Sequence, residues 1–233
     1  MRPPVRVSRA GREQRIRDLP RGWGLDPKLE ELIEGSGPWE LEIGFGKGRY
    51  LLRSAADHPE RRFLGIEVVS KYYRLVKDRG RRHGLDNLAV IRGEALYLLS
   101  TQFPRAFADK LHIYFPDPWP KIKHRRRRLL DPETVDLVLG TLRPGGELDF
   151  ATDFLEYGEK VWNLLDSHPD LELTRHDEPW PDGARTNYEA KFLREGRPIL
   201  RLTARLDPKA TPGTLHPRGR TRITNAIAPQ YDD

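Results

Sequence analysis

The stretch Trp39 to Leu52, WELEIGFGKGRYLL, restricts the fold more than any other. Its first five residues suit a short strand, the glycines at 44, 46 and 48 turn the chain, and an apolar helix follows from Tyr50. Strand, glycine turn and helix make the βα unit that holds nucleotide ligands. Glycine lets the backbone approach a ligand closely, and the first helical turn offers free N–H groups and positive potential to an anion. A second strand, Arg62 to Ile66, ends in Glu67, nineteen residues after Gly48. That spacing puts a carboxylate where a ribose diol can donate hydrogen bonds. The dinucleotide fingerprint G-x-G-x-x-G fails, because position 49 is arginine.

The rest of the chain repeats the unit. Ser70 to His83 reads as a helix with Tyr72, Tyr73 and Val76 on its apolar side, and Leu88 to Ile91 as a third strand. Glu94 follows, fitting either a cofactor's adenine end or a helix cap. A fourth strand ends at Phe115, a helix runs from Asp131-Pro132 through Leu142, and a fifth strand, Glu147 to Ala151, leads to Thr152-Asp153. A helix at Tyr157 to Leu165 and strands at Leu171 to Thr174 and Pro198 to Leu206 complete the pattern. Such alternation predicts an α/β fold: a mostly parallel seven-stranded sheet with right-handed crossovers and helices on both faces. Glu42, Glu67, Glu94, Asp117 and Asp153 all end or follow strands. Ligands of open α/β sheets bind outside those carboxyl ends, so five converging acids mark a site.

Asp117 lies in the stretch LHIYFPDPWPKIKHRRRRLL, Leu111 to Leu130. Pro116, Pro118 and Pro120 stop any ladder or helix, since proline lacks the N–H and fixes φ. They hold Asp117 beside Trp119, and Lys121, Lys123 and Arg125 to Arg128 follow at once. Trp119 fits either a core position or the wall of a base-binding pocket.

Composition narrows the chemistry. A chain of 233 residues with 37% hydrophobic content suits one substantial globular core. The expected division is a basic arm over 1–24, a domain over 25–206, and a Pro-rich extension over 207–233. The arm carries seven arginines within its first 22 residues, a pattern that often orders on nucleic acid. There is no cysteine, so thiol catalysis and cysteine-ligated metal are excluded, and the seven histidines show no metal-ligand spacing. No apolar run suits a membrane span or a secretory signal, so the expectation is a cytoplasmic, metal-free protein. The net charge of +6 is clustered and rich in arginine, which favours a polyanionic partner.

Two cofactor classes compete for the glycine turn. The spacing E-x-G-x-G-x-G, Glu42 to Gly48, resembles the first motif of S-adenosylmethionine-dependent methyltransferases. That cofactor has a carboxylate for the helix start and a sulfonium cation for an acidic pocket. An NAD-linked oxidoreductase is disfavoured by Arg49 and by the lack of a proton-relay histidine.

LEIGFGKG, FLGIEV, YFPDPWPK with its basic follow-on, FATDF and RTNYE (Arg185 to Glu189), with the N-terminal RAGREQ, together resemble the tRNA (guanine-N7-)-methyltransferase family over about residues 9 to 205. The resemblance implies a Rossmann-like class I methyltransferase fold. It also implies S-adenosylmethionine as cofactor and guanine 46 of the tRNA variable loop as target. It assigns cofactor contacts to Glu42, Gly44, Gly46, Gly48, Glu67, Glu94 and Asp117, with Asp117 also the active-site residue. Lys121, Asp153, Thr186, Asn187, Tyr188 and Glu189 match substrate contacts, and Lys123, Arg125, Arg126, Arg127 and Arg128 suit the tRNA backbone. Glu94 stands where the family often has aspartate, and Ala190-Lys191-Phe192 where a basic continuation is commoner. A catalytically inactive RNA-binding protein on the same fold is the alternative. Monomer and homodimer both remain open.

Overall fold

The computed structural model describes residues 37–210. The basic arm, the helix expected near Asp26 to Ile33, and the extension beyond 210 lie outside the described residues.

Seven strands form one sheet in the order β3-β2-β1-β4-β5-β7-β6. β1 (Trp39–Ile43), β2 (Arg62–Glu67), β3 (Leu88–Arg92), β4 (Ala108–Tyr114) and β5 (Leu142–Thr152) are mutually parallel. β7 (Leu200–Leu206) runs antiparallel between β5 and β6 (Leu171–His176). The chain leaves β1 towards β3 and then returns to the other side through β4, so the topological switch lies between β1 and β4. Ligand sites of doubly wound sheets open at such a switch, beyond the strands' carboxyl ends.

The helices are α1 (Arg49–Asp57), α2 (Ser70–Arg82), α3 (Ala95–Thr101), α4 (Val135–Leu139), α5 (Leu155–Asp166) and α6 (Asn187–Arg194), with a 3-10 turn at Ile122–Arg127. Alternation along β2 separates the two faces. Phe63 packs with Leu51 and Ala55 of α1 and Val76 of α2. Leu64 and Ile66 join the larger core with α3, α4 and α5. Among the described residues no helix is long and apolar enough to cross a membrane, and no group of acids and histidines stands together as metal ligands.

Two boundaries differ from the sequence expectation. The helix expected to run from Asp131 to Leu142 is only the five residues of α4. Asp131 instead makes a turn with Thr134, and Gly140 ends the helix. Leu142 already pairs with Ala108, so β5 begins five residues before Glu147 and carries Pro144-Gly145-Gly146 within it. Residues just past β7 also remain attached to the sheet: the Asp207 N–H donates to the Asp170 carbonyl at 2.8 Å, and Ala210 packs on the core.

Candidate active site

The glycine turn is built from its own backbone. Gly44 N–H donates to the Ile66 carbonyl and Gly48 N–H to the Phe45 carbonyl, both at 2.8 Å. All three glycines have positive φ, at 76°, 52° and 70°, a region that side chains with a Cβ rarely adopt. Their surroundings separate their roles. A Cβ on Gly44 or Gly46 would meet no heavy atom of the described residues within 4 Å, so among these residues the space over both is open. A Cβ on Gly48 would come within 2.5 Å of the Val76 side chain, so this glycine lets α1 pack on α2. Gly48 caps α1 without a side-chain hydrogen bond, which leaves first-turn N–H groups of that helix uncapped.

Glu67 closes the turn. Its Oε2 accepts from Gly46 N–H and its Oε1 from Val69 N–H, each at 2.8 Å. Each oxygen keeps a second lone pair, so these bonds orient the carboxylate and leave it able to accept more. Glu42, on the neighbouring strand, is buried and its Oε2 has no partner among the described residues. Burial, and then the charge of Glu67, push the Glu42 carboxyl up to about 8; the Leu51 N–H and the Arg185 charge oppose this. Glu94 is the helix cap: it accepts from Leu96 and Tyr97 N–H at 3.1 and 2.7 Å. Burial raises its pKa against those two bonds.

The proline loop leaves β4 under strain. Phe115 and Trp119, each followed by proline, have φ of 52° and 40°. Such conformations cost roughly 1–3 kcal/mol each and persist where the surroundings enforce them. Asp117 lies between them, exposed and without a hydrogen-bond or ion-pair partner among the described residues. Trp119 is only partly buried: Arg127 stacks on its ring at 4.9 Å and His124 meets it edge-on at 5.8 Å. It is not a core tryptophan.

The basic run divides. Lys121, Lys123 and Arg127 are exposed, and Arg125 pairs with Glu156 at 2.7 Å. Arg128 departs from the expected phosphate contact, because its side chain turns inward. It is 4% exposed, stacks on the Tyr157 ring at 4.6 Å, and its Nε donates to the Pro118 carbonyl at 2.8 Å. It braces the loop that carries Asp117.

The substrate segment sits at the start of α6, a helix with no counterpart among the elements expected from sequence. Thr186 caps it, accepting from Glu189 N–H at 2.9 Å. Asn187 and Tyr188 are exposed, and Tyr188 stacks on Phe192 and lies 6.4 Å from the Phe115 ring. Glu189 corrects the expectation of a direct substrate contact: it is fully buried, its Oε1 accepts from Arg201 Nε at 2.7 Å and its Oε2 from Arg185 N–H at 2.8 Å. Asp153 pairs with Arg197.

A buried polar chain, which the sequence does not announce, runs beneath the site. Glu40 accepts from the Tyr50 hydroxyl at 2.6 Å and lies 2.8 Å from His112 Nε2. His112 Nδ1 meets the Tyr114 hydroxyl at 2.9 Å. Arg185 donates to both Tyr114 and Asp149 at 2.7 Å, and Thr203 donates to Asp149 at 2.7 Å. Burial favours protonated Glu40, yet His112, Tyr50 and Arg61 together hold it down to about 2. Asp149 is likewise lowered, with His112 and Arg185 overcoming its burial.

Comparison with known proteins places the chain in a family. Residues 36–202 match the family described as "Putative methyltransferase". A tRNA (guanine-N(7)-)-methyltransferase of Alkalilimnicola ehrlichii is 38% identical over 187 residues, 78% of each chain. The enzyme of that name from Halorhodospira halophila is 35% identical over 195 residues, 82% of this chain and 84% of its own. Among solved structures, the 16S rRNA methyltransferase KamB superposes with a TM-score of 0.56 at 18% identity, covering 78% of this chain and 94% of its own, which bears on the fold alone. With relatives this similar over most of its length, the chain belongs to the tRNA (guanine-N(7)-)-methyltransferase family.

Proposed function

We propose that this protein transfers a methyl group from S-adenosylmethionine to N7 of guanine in tRNA, at guanine 46 of the variable loop. The observation that carries the cofactor reading is Glu42, a buried acid with an unpartnered oxygen, beside an uncapped helix start and two glycines with open space above them. An acid held protonated by burial gains most from a nearby cation. A free helix start gains most from a carboxylate. S-adenosylmethionine carries both. An RNA-binding protein without catalysis has no use for such a pair.

Glu67 is suited to hold the ribose through its remaining lone pairs, and Glu94 to border the adenine end. Bound S-adenosylmethionine supplies an electrophilic methyl on a cationic sulfur. Guanine N7 has a free lone pair and loses no proton on methylation, so no strong base is needed. What helps is alignment of N7 with the methyl group and negative charge near the ring as it becomes cationic. Asp117, without a partner among the described residues and carried on a strained, braced loop, fits that role by accepting from the guanine N1–H and amine edge. Lys121, Asp153 and Thr186 to Tyr188 are suited to contact the substrate, with Glu189 bracing the start of the helix that carries the last three. Lys123, Arg127 and the N-terminal arm suit tRNA phosphates, joined by Arg125 and Arg126, whereas Arg128 supports the loop. Guanine 46 is engaged in tertiary contacts in folded tRNA, so it has to be drawn out to reach N7. Calorimetric titration with S-adenosylmethionine and NADH separates the cofactor classes: saturable binding of the first alone is expected, and binding of NADH alone would overturn the reading.

A further inference from the structure

Residues 177–186, between β6 and α6, have no regular structure, yet the loop is tied on several sides. Arg49 and Arg53, on the helix that follows the glycine turn, donate to the Ala184 and Asp182 carbonyls at 3.0 Å. Inside the loop, the Arg185 guanidinium bonds the Tyr114 hydroxyl and Asp149, reaches Asp182 through Nε at 3.0 Å, and stacks on the buried Trp180 ring at 4.2 Å. Its backbone N–H donates to Glu189, and the next residue is the cap of α6.

We infer that Arg185 is a positioning residue for methyl transfer: it fixes the point from which Thr186, Asn187 and Tyr188 project over the strand ends, and links that segment to the cofactor helix. The inference rests on the tRNA-methylation reading above. The side chain lies 14% exposed, and its Nη1 and Nε donors are spent on groups of β4, β5 and its own loop rather than offered to a substrate. Its planar fork satisfies a phenol and a carboxylate at once while its face rests on an indole, and lysine cannot reproduce all three. Since tRNA affinity comes mostly from phosphates, loss of this anchor acts on alignment of the base more than on binding.

Three variants test this: Arg185→Lys, Arg185→Gln, and Arg185→Gln combined with Asp149→Asn. The double variant removes both charges, which avoids leaving Asp149 buried and unpaired. Melting temperature, S-adenosylmethionine affinity by calorimetry, and steady-state methylation of tRNA are measured on the full chain. The expected result for the double variant is a kcat lowered by about 10- to 100-fold, with tRNA KM and cofactor Kd within about threefold of wild type. Its melting temperature should stay near wild type, and Arg185→Lys should recover part of kcat. A double variant with wild-type kcat overturns the inference, as does a loss of kcat that merely follows lost cofactor affinity or lost folding. If the unaltered protein methylates no tRNA, the activity reading itself fails, which is a distinguishable result.

Discussion

Glu42→Gln should strengthen the free protein and weaken the cofactor complex. The Glu42 carboxyl is pushed from its ordinary 4.5 up to about 8, first by burial and then by Glu67. A folded-state pKa above the unfolded one means that folding takes up a proton between those values. Stability therefore falls as pH rises from about 4.5 to about 8. Each pH unit costs about 1.4 kcal/mol, so the penalty accumulates to about 3 kcal/mol at pH 7 and about 5 kcal/mol above pH 8, as upper bounds. Glutamine keeps the shape and cannot ionise. If relaxation halves the penalty, the variant gains about 2 kcal/mol at pH 8, or roughly 4–8 °C for a chain of this size, and almost nothing at pH 4.5. Affinity moves the other way: loss of the ionised partner should weaken S-adenosylmethionine by about 1–3 kcal/mol. Thermal unfolding at pH 5 and pH 8 reads the first effect. Calorimetry at pH 7 in two buffers of different ionisation enthalpy reads the second, with proton release on binding by wild type and none by the variant. A variant no more stable at pH 8, or one that binds with wild-type affinity and proton release, would refute the role given to Glu42.

The basic run should split under mutation. Lys123→Ala with Arg127→Ala should flatten the log–log salt dependence of tRNA binding, in proportion to the number of phosphates no longer neutralised. Arg128→Ala should leave that slope unchanged and lower the melting temperature, because its side chain supports the proline loop from within. The glycines should split as well. Gly48→Ala drives a Cβ onto Val76 at a positive φ and should cost roughly 1–3 kcal/mol of stability by denaturant unfolding. Gly46→Ala meets no neighbour among the described residues, so its stability loss should be smaller, about 1–2 kcal/mol from the backbone alone, while cofactor affinity falls. Asp117→Ala should abolish most turnover with tRNA affinity within a few fold in filter binding; a fully active variant would remove this residue from the mechanism.

Much of the site is legible in the sequence because strand ends carry their chemistry locally. The glycine turn, Glu42, Glu67 and the proline loop can each be placed from a few adjacent residues. Glu94 reads as either ligand or cap, and only the position of α3 decides that it caps. The helix at Asn187–Arg194 has a local signal of its own: Thr186 followed by Glu189 is a capping-box pattern, and the structure closes it through Thr186 and the Arg185 N–H. The inward turn of Arg128 has no local signal, since it depends on Tyr157, far along the chain. The buried chain from Glu40 to Thr203 draws on β1, β4, β5 and β7, which no spacing along the sequence relates. Its trace is the alternation of polar residues in WELEI, LHIYF and GELDF, a row that reads as solvent-facing until helices and a loop are known to cover it.

The atom and nucleotide that receive the methyl group define the proposed activity. Bulk tRNA from cells lacking 7-methylguanosine, incubated with the 233-residue chain and methyl-labelled S-adenosylmethionine, can be digested and mapped by mass spectrometry. Label is expected only in 7-methylguanosine, at guanine 46 of the variable loop, and none in tRNA carrying 7-deazaguanine there. Label at another ring atom, at another nucleotide, or in the 7-deazaguanine tRNA would contradict it.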